Sequence, residues 1–403
     1  MTDAVHNNAP RRVYFDNAAT SFPKPPEVLV AMVEYATKIG ASAGRGAYAE
    51  AQASAAVLRT CRERLNTLFH GEDANQFVFT LNCTDALNLA IRGLLREGDR
   101  GHAVTTWMDH NSVLRPYNAL STEGGISYTH VPVDPLSCVV DPEEIRKALR
   151  PETKLIAVVH GSNVTGTVQP IREIAKVARE AGVTLLVDAA QTVGHLPIDV
   201  QADGIDLLAA PGHKGLLGPL GTGFLYIRPG LEKKLRPLRW GGTGSVSELD
   251  VQPEFMPDKF EAGSHNAIGI AGLSAGLEWI LKRGIAALAE HDRALCKTFM
   301  ECVDGVEGLR YFGPQGIRNR MGVFSVQVDG VEPLRLAERL ENEFGILTRP
   351  GLHCAPLAHQ TIGTGTSGTT RLSFGAFLTA LDVKYAADAL AAIALENYSA
   401  AAK

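Results

Sequence analysis

The chain has 403 residues, 45% hydrophobic and 21% charged, a composition that does not point to disorder and is long enough for two domains. A net charge of −5 with no Lys/Arg-rich run gives no basic field for nucleic acid or anionic lipid, so a small molecule is the expected substrate. The first twelve residues carry no apolar signal core, and no apolar run reaches the ~18 residues of a membrane span, which predicts a cytoplasmic protein. Short β-rich runs at residues 76–80, 102–106, 126–131, 154–160, 183–188, 205–209 and 222–227 predict seven strands. Several are apolar on both faces, as expected where helices cover both sides of a mainly parallel sheet. Helical spacing at 86–96, 141–149 and 171–181 between the strands makes this an α/β domain. From residue 265 the rhythm changes to helices at 265–283 and 285–303, a strand at 322–328 and a helix at 333–344. A smaller α+β domain is expected over 265–403, joined by 1–14, with the large domain spanning 15–264. Internal repeats are absent by eye, and the Gly/Thr-rich stretch 361–370 reads as a loop.

The strand at 183–188 ends in Asp188, and Lys214 sits in the turn Pro211-Gly-His-Lys-Gly215. A lysine that can hold an aldehyde as a Schiff base and an acid that can keep a pyridine nitrogen protonated are the two needs of pyridoxal phosphate (PLP). Taken alone, the pair reads more simply as an acidic strand cap and a solvated surface lysine. Six cysteines (Cys61, Cys83, Cys138, Cys296, Cys302, Cys354) lack any Cys-x-x-Cys spacing, which argues against a disulfide framework and a structural zinc. No Gly-x-x-x-x-Gly-Lys-Ser/Thr occurs, and residues 215–223 lack the strand-then-helix setting of a dinucleotide fingerprint.

Thr84 stands where the helix after residues 76–80 would take its N-cap, a terminus suited to phosphate or to ordinary capping. His110 follows the strand at 102–106, and Asn163 lies in His160-Gly-Ser-Asn-Val-Thr-Gly166 after another. One offers an imidazole and the other an amide, or each is simply a polar loop residue. Gln191, shortly after Asp188, is equally ambiguous. All of them follow strands, and open α/β sheets bind ligands at the carboxyl ends of their strands. Further on, Arg349-Pro-Gly-Leu-His-Cys354 places a cysteine beside His353 in a Gly/Pro-rich loop, either an accessible nucleophile or a buried thiol. Arg371 is suited to clamp a carboxylate bidentately or to make a surface salt bridge.

Together these segments resemble the class V, fold-type I PLP enzymes, and within them the cysteine desulfurases that include the group II enzymes and the selenocysteine lyases. The resemblance runs over nearly the whole chain. It rests on Val13-Tyr-Phe-Asp-Asn-Ala-Ala-Thr20, Gly44-Arg-Gly46, Asn82-Cys-Thr-Asp-Ala-Leu-Asn88, His110, His160-Gly-Ser-Asn163, Val187-Asp-Ala-Ala-Gln191, Gly212-His-Lys214, Phe260-Glu-Ala-Gly-Ser264 and the Arg-x-Gly-x-His-Cys-Ala loop. It implies that Lys214 carries the cofactor as a Schiff base, Asp188 pairs with the pyridinium nitrogen, Gln191 bonds the phenolic oxygen and His110 stacks on the ring. Thr84 and His213 would bind phosphate, with Ser264 supplied by the neighbouring subunit of a homodimer. Asn163 and Arg371 would hold the substrate carboxylate, with Arg349 a further substrate contact. Cys354 would take sulfur from L-cysteine as a persulfide and release alanine. A sulfur-acceptor protein serving iron–sulfur cluster or thio-cofactor assembly would follow, and no metal is implied. The chain departs from the group II pattern at Leu352, where a histidine is common, at Phe377-Leu-Thr379, and at Gly46-Ala-Tyr48, which lacks a histidine. Selenocysteine lyase, another C–S lyase or aminotransferase, and a silent scaffold are the alternatives. Cys354 argues for desulfuration over simple elimination, and the retention of Lys214, Asp188, His110 and Arg371 argues against a scaffold.

Overall fold

The computed structural model describes residues 11–43, 46–95, 100–243, 245, 248 and 250–401. Residues 1–10 of the expected N-terminal segment, Gly44 and Arg45 of the quoted motif, and Arg96 of the expected helix lie outside them. The chain opens with β1 (Val13–Tyr14), α1 (Pro26–Glu34) and the long α2 (Ala49–Phe69). Seven strands then form one sheet: β2 (Phe77–Thr80), β3 (Gly101–Thr106), β4 (Ile126–Val131), β5 (Thr153–Val159), β6 (Thr184–Asp188), β7 (Leu207–Pro211) and β8 (Gly223–Ile227). Their spatial order is β2-β8-β7-β6-β5-β3-β4. All neighbouring pairs from β7 to β4 are parallel, and only β8 runs against its two neighbours. Because β2 is antiparallel to β8, it points the same way as β7. The chain therefore leaves β2, β3, β5, β6 and β7 at one edge of the sheet.

The seven expected strands and the three helices between them are present, α3 (Cys83–Leu94), α5 (Pro142–Ala148) and α6 (Ile171–Ala181), together with α4 (Asn111–Glu123). Successive residues of β6 explain the double cover: Leu185 and Val187 face one core, with Phe224 and Leu273, while Leu186 faces the other, with Leu87 and Tyr117. Asn82, not Thr84, caps α3, its side chain accepting from the Asp85 amide at 2.9 Å. Thr84 lies inside the first turn.

The C-terminal part comprises α7 (Ala267–Arg283), α8 (Ile285–Val303), β9 (Leu309–Tyr311), β10 (Val323–Val328), α9 (Pro333–Phe344), β11 (Ile346–Leu347), β12 (Arg349–Gly351), α10 (Pro356–Thr361), β13 (Thr369–Ser373) and α11 (Ala380–Ala401). Strands β12-β13-β10-β9 form an antiparallel sheet. A separate core of Phe299, Phe324, Leu336, Leu372, Phe374 and Leu390 packs around it and includes Val13 and Phe15 from the chain's start. The helix expected to open this smaller part, α7, instead buries Ile270, Leu273, Leu277 and Ile280 in the large core, beside α1 and α2. Amphipathic spacing marks a buried face without saying which core receives it. Among the described residues no helix is long and apolar enough to cross a membrane.

Candidate active site

Five strand ends deliver the site. The turn after β2 carries Asn82, Cys83 and Thr84; that after β3 carries His110; β5 leads to Asn163; β6 ends in Asp188, with Gln191 beyond; β7 leads to His213 and Lys214. All of these line one pocket. His110 caps α4, its Nδ1 accepting from the Ser112 amide at 3.0 Å. The Ser112 and Thr84 hydroxyls are 2.8 Å apart, which ties the first turns of α3 and α4 together at the pocket wall. Such paired helix starts favour an anion.

The turn that carries Lys214 is set by backbone contact. A Cβ on Gly215 would lie 2.0 Å from the Val193 carbonyl oxygen, and one on Gly194 (φ +78°) would lie 2.0 Å from that of Gly215. Only glycine allows the two turns, one after β6 and one after β7, to meet so closely. Burial pushes the Lys214 ammonium below its ordinary value; Asp188 opposes this, while Arg371 and Arg349 add to it. Burial raises Asp188, offset by the Ala190 amide and by Lys214. His110 is pushed down to about 4, by burial and then by Lys214. His213 falls to about 4 for the same reasons, with Lys24 contributing. Both rings are neutral near pH 7, and because His110 Nδ1 accepts, its proton sits on Nε2.

The residues present fit PLP. Both donors to Asp188, the Ala190 amide at 2.9 Å and the Cys83 thiol at 3.6 Å, go to Oδ1, which leaves Oδ2 for a ring nitrogen. His213 Nδ1 and Asn163 Oδ1 are buried without a partner. The Lys214 side-chain amine has no hydrogen bond or ion pair among the described residues, as expected of an amine reserved for a ligand.

Arg349 and Arg371 face each other across β12 and β13. Arg371 is buried and already bonded, through Nη2 to Asp16 Oδ1 at 2.7 Å and through Nη1 to the Asn163 carbonyl at 3.1 Å, while its Nε has no partner. Cys354 is exposed, on the turn between β12 and α10, in a shallow recess with Thr84, His110, Ser112 and Arg115. That recess shares Thr84, His110 and Ser112 with the Lys214 pocket, so the thiol stands at its outer rim. Two hydrogen bonds pin the turn: Asn163 Nδ2 donates to the His353 carbonyl at 2.6 Å, and the Asn111 amide to that of Cys354 at 2.9 Å. His353 and Cys354 both have left-handed backbones, φ 49° and 58°, a strained pair for non-glycine residues. His353 supplies no cation beside the thiol, since burial and then Arg371 push it down to about 2 and its ring lies against His359.

Ser264 is not brought to this pocket; it is exposed and lines a separate one with Phe79, Gly221 and Arg239. Four contributors escaped sequence reasoning: Cys83, Ser112, Asp16 and Lys24. Cys83 and Asp16 lie within motifs already quoted, so their position was available. Nothing in the sequence signals Ser112 or Lys24.

The aminotransferase class-V family profile matches residues 13–385. A probable cysteine desulfurase of Methanothermobacter thermautotrophicus is 36% identical over 387 residues, 95% of this chain and 94% of that protein. The apo structure of a cysteine desulfurase from Thermococcus onnurineus superposes with a TM-score of 0.89 at 31% identity, covering 96% of this chain and 95% of the other. A cysteine desulfurase from Escherichia coli gives 0.84 at 28% identity, covering 95% and 94%. The fold is that of the fold-type I PLP enzymes, and the chain belongs to the class V aminotransferase family, in its cysteine desulfurase branch.

Proposed function

We propose that this protein binds PLP through Lys214, removes sulfur from L-cysteine to leave L-alanine, and holds that sulfur on Cys354 as a persulfide. The observation that carries the reading is an exposed Cys354 at the rim of the pocket that contains Lys214 and Asp188. When bound, PLP supplies an aldehyde that captures amino groups and a ring that accepts electrons, which makes the Cα proton of a captured amino acid acidic.

The chain's residues then divide the work. Asp188, anchored through Oδ1, keeps Oδ2 for the ring nitrogen, with Gln191 at the phenolic oxygen. Thr84, His213 and the helix starts at Cys83 and Asn111 favour the phosphate. His110, neutral and fixed by Ser112, offers a flat face to stack on the ring. Lys214, its ammonium destabilised by burial, is the base that moves a proton at Cα. Arg371, Arg349 and Asn163 orient the substrate carboxylate. Sulfur transfer is a displacement: the Cys354 thiolate attacks the substrate sulfur, an S–S bond forms as the Cβ–S bond breaks, and the electron pair left on carbon takes up a proton to give alanine.

Ser264, exposed and outside the lining of its own chain's pocket, is suited to complete the site of a second subunit in a homodimer. A sulfur-acceptor protein, in service of iron–sulfur cluster assembly, would reach Cys354 from solvent. We assign 15–264 and α7 to the large domain, with the small domain built on the β12-β13-β10-β9 sheet.

Wild type and Cys354→Ala incubated with L-cysteine, with alanine, sulfide and protein-bound persulfide measured, test this directly. Wild type should form alanine and persulfide in step, and the variant should lose the persulfide and most of the alanine. Equal turnover in both would overturn the persulfide route.

A further inference from the structure

The carbonyl oxygen of His213, which belongs to the peptide leading into Lys214, accepts four donors. They are the Ser21 amide at 3.1 Å, the Thr20 hydroxyl at 3.1 Å, the Ser21 hydroxyl at 3.2 Å and the Lys24 ammonium at 2.7 Å. A carbonyl has two lone pairs, so this oxygen is bonded beyond the ordinary. All four donors come from one short stretch before α1. Lys24 also bonds the Ser21 hydroxyl at 2.7 Å, and among the described residues it has no carboxylate partner. Taking a cation partly out of water without a counter-ion is costly, and burial pushes Lys24 down to about 8. The strongest compensating contact in view is the charge-assisted bond to the His213 oxygen. The same stretch reaches two other site residues: the Ala18 carbonyl accepts from Gln191 Nε2 at 3.1 Å, and Asp16 pairs with Arg371.

We propose that Lys24 is a positioning residue for Lys214: its ammonium clamps the His213 carbonyl and so fixes the peptide from which the Lys214 side chain projects. A peptide unit is planar and stiff, so holding its oxygen sets the direction of the next Cα and of the lysine stem. Holding that oxygen also steadies the His213 ring on the other side. Lys24 does not line the Lys214 pocket, and its effect on Lys214 passes through the backbone. The proposal rests on the reading that Lys214 carries the cofactor.

The test uses PLP-loaded wild type, Lys24→Met, Lys24→Arg and Ser21→Ala. It follows the pH midpoint of the cofactor's visible absorbance, the rate of PLP loss on dilution, and kcat and KM for L-cysteine. Displacing a reacting group by a fraction of an ångström predicts a kcat about tenfold lower in Lys24→Met, with KM within about twofold. Freeing the peptide should also move the absorbance midpoint by about half a unit or more, since the Lys214 nitrogen then changes its distance from Asp188, Arg371 and Arg349. Lys24→Arg, which keeps the charge and a donor, should restore most of both. A Lys24→Met enzyme with wild-type kcat and midpoint overturns the proposal. Should that variant not fold, Ser21→Ala decides: a moved midpoint supports the clamp and an unmoved one overturns it. Wild type that takes up no PLP overturns the cofactor assignment and the clamp together, whereas wild-type absorbance with an unmoved variant overturns the clamp alone.

Discussion

Cys354 differs from every other cysteine in access, the first property that controls thiol chemistry. It is exposed, whereas Cys61, Cys138 and Cys296 are buried and Cys83 and Cys302 are partly so. Burial pushes Cys61 up to about 12 and Cys138 up to about 11, and it raises Cys83 and Cys296 well above the ordinary thiol value. Cys302 is raised as well, again by burial first. Alkylation needs thiolate at the surface. A limited amount of iodoacetamide near pH 7.5 should therefore label Cys354 in the first, fast phase, and sulfur transfer should be lost in proportion. Peptide mapping checks the site, and Cys354→Ala should abolish the fast phase. Fast labelling spread over several cysteines would contradict the burial pattern. Cys83 is instructive because it lies in the Lys214 pocket and yet serves as a neutral donor to Asp188.

At the scale of elements, the site exists because five strands end at one edge and because two turns there can touch. Gly215→Ala tests that contact. Its methyl would stand 2.0 Å from the Val193 carbonyl oxygen, a backbone atom that cannot swing aside. The β6 and β7 turns must separate, carrying Lys214 away from Asp188. A misplacement of this size predicts a kcat loss of about 100-fold together with a lower melting temperature, while far-UV circular dichroism stays native. Wild-type kcat in Gly215→Ala would show that the turns are not in contact. The seven strands were legible because each is a short β-rich run closed by turn residues, and the order of site residues along the chain followed from that. The destination of α7 was not, since its apolar face fits either core. Nor was the commitment of Arg371 to Asp16, two residues 355 positions apart in sequence that meet only once the chain folds back. The cap of α3 was misplaced by two residues because Asn82 and Thr84 are both good capping types, and only the backbone distinguishes them.

Across the whole molecule, imidazoles partly or wholly withdrawn from water set how stability depends on pH. His110, His160, His213 and His359 are each pushed down to about 4, and His353 to about 2, burial being the leading cause in every case. Their ordinary value is 6.5, so as pH falls from there the unfolded chain takes up protons that the folded chain refuses. Stability from these groups is therefore present above pH 6.5 and is lost progressively toward pH 4. Asp109 acts in the opposite sense. Burial raises its carboxyl from 3.8 to about 6 despite hydrogen bonds from Thr105, Thr106 and the Val159 amide, so the folded chain holds that proton longer than the unfolded one. Asp188 is raised likewise. Burial lowers His102 and His130 as well, so two raised carboxyls oppose seven lowered imidazoles, and the imidazoles set the sign. Each uncompensated proton contributes up to about 1.4 kcal/mol per pH unit, less for the rings nearer solvent. With the cofactor removed so that its dissociation does not enter, the urea midpoint should fall steadily between about pH 6.5 and 4.5. His160 lies outside the pocket lining and its Nδ1 is buried without a partner, so His160→Gln should flatten that slope by close to one proton without touching the cofactor contacts. A midpoint that held constant or rose toward pH 4.5 would mean that these imidazoles are protonated in the folded chain, and the neutral His110 on which the stacking role depends would go with them.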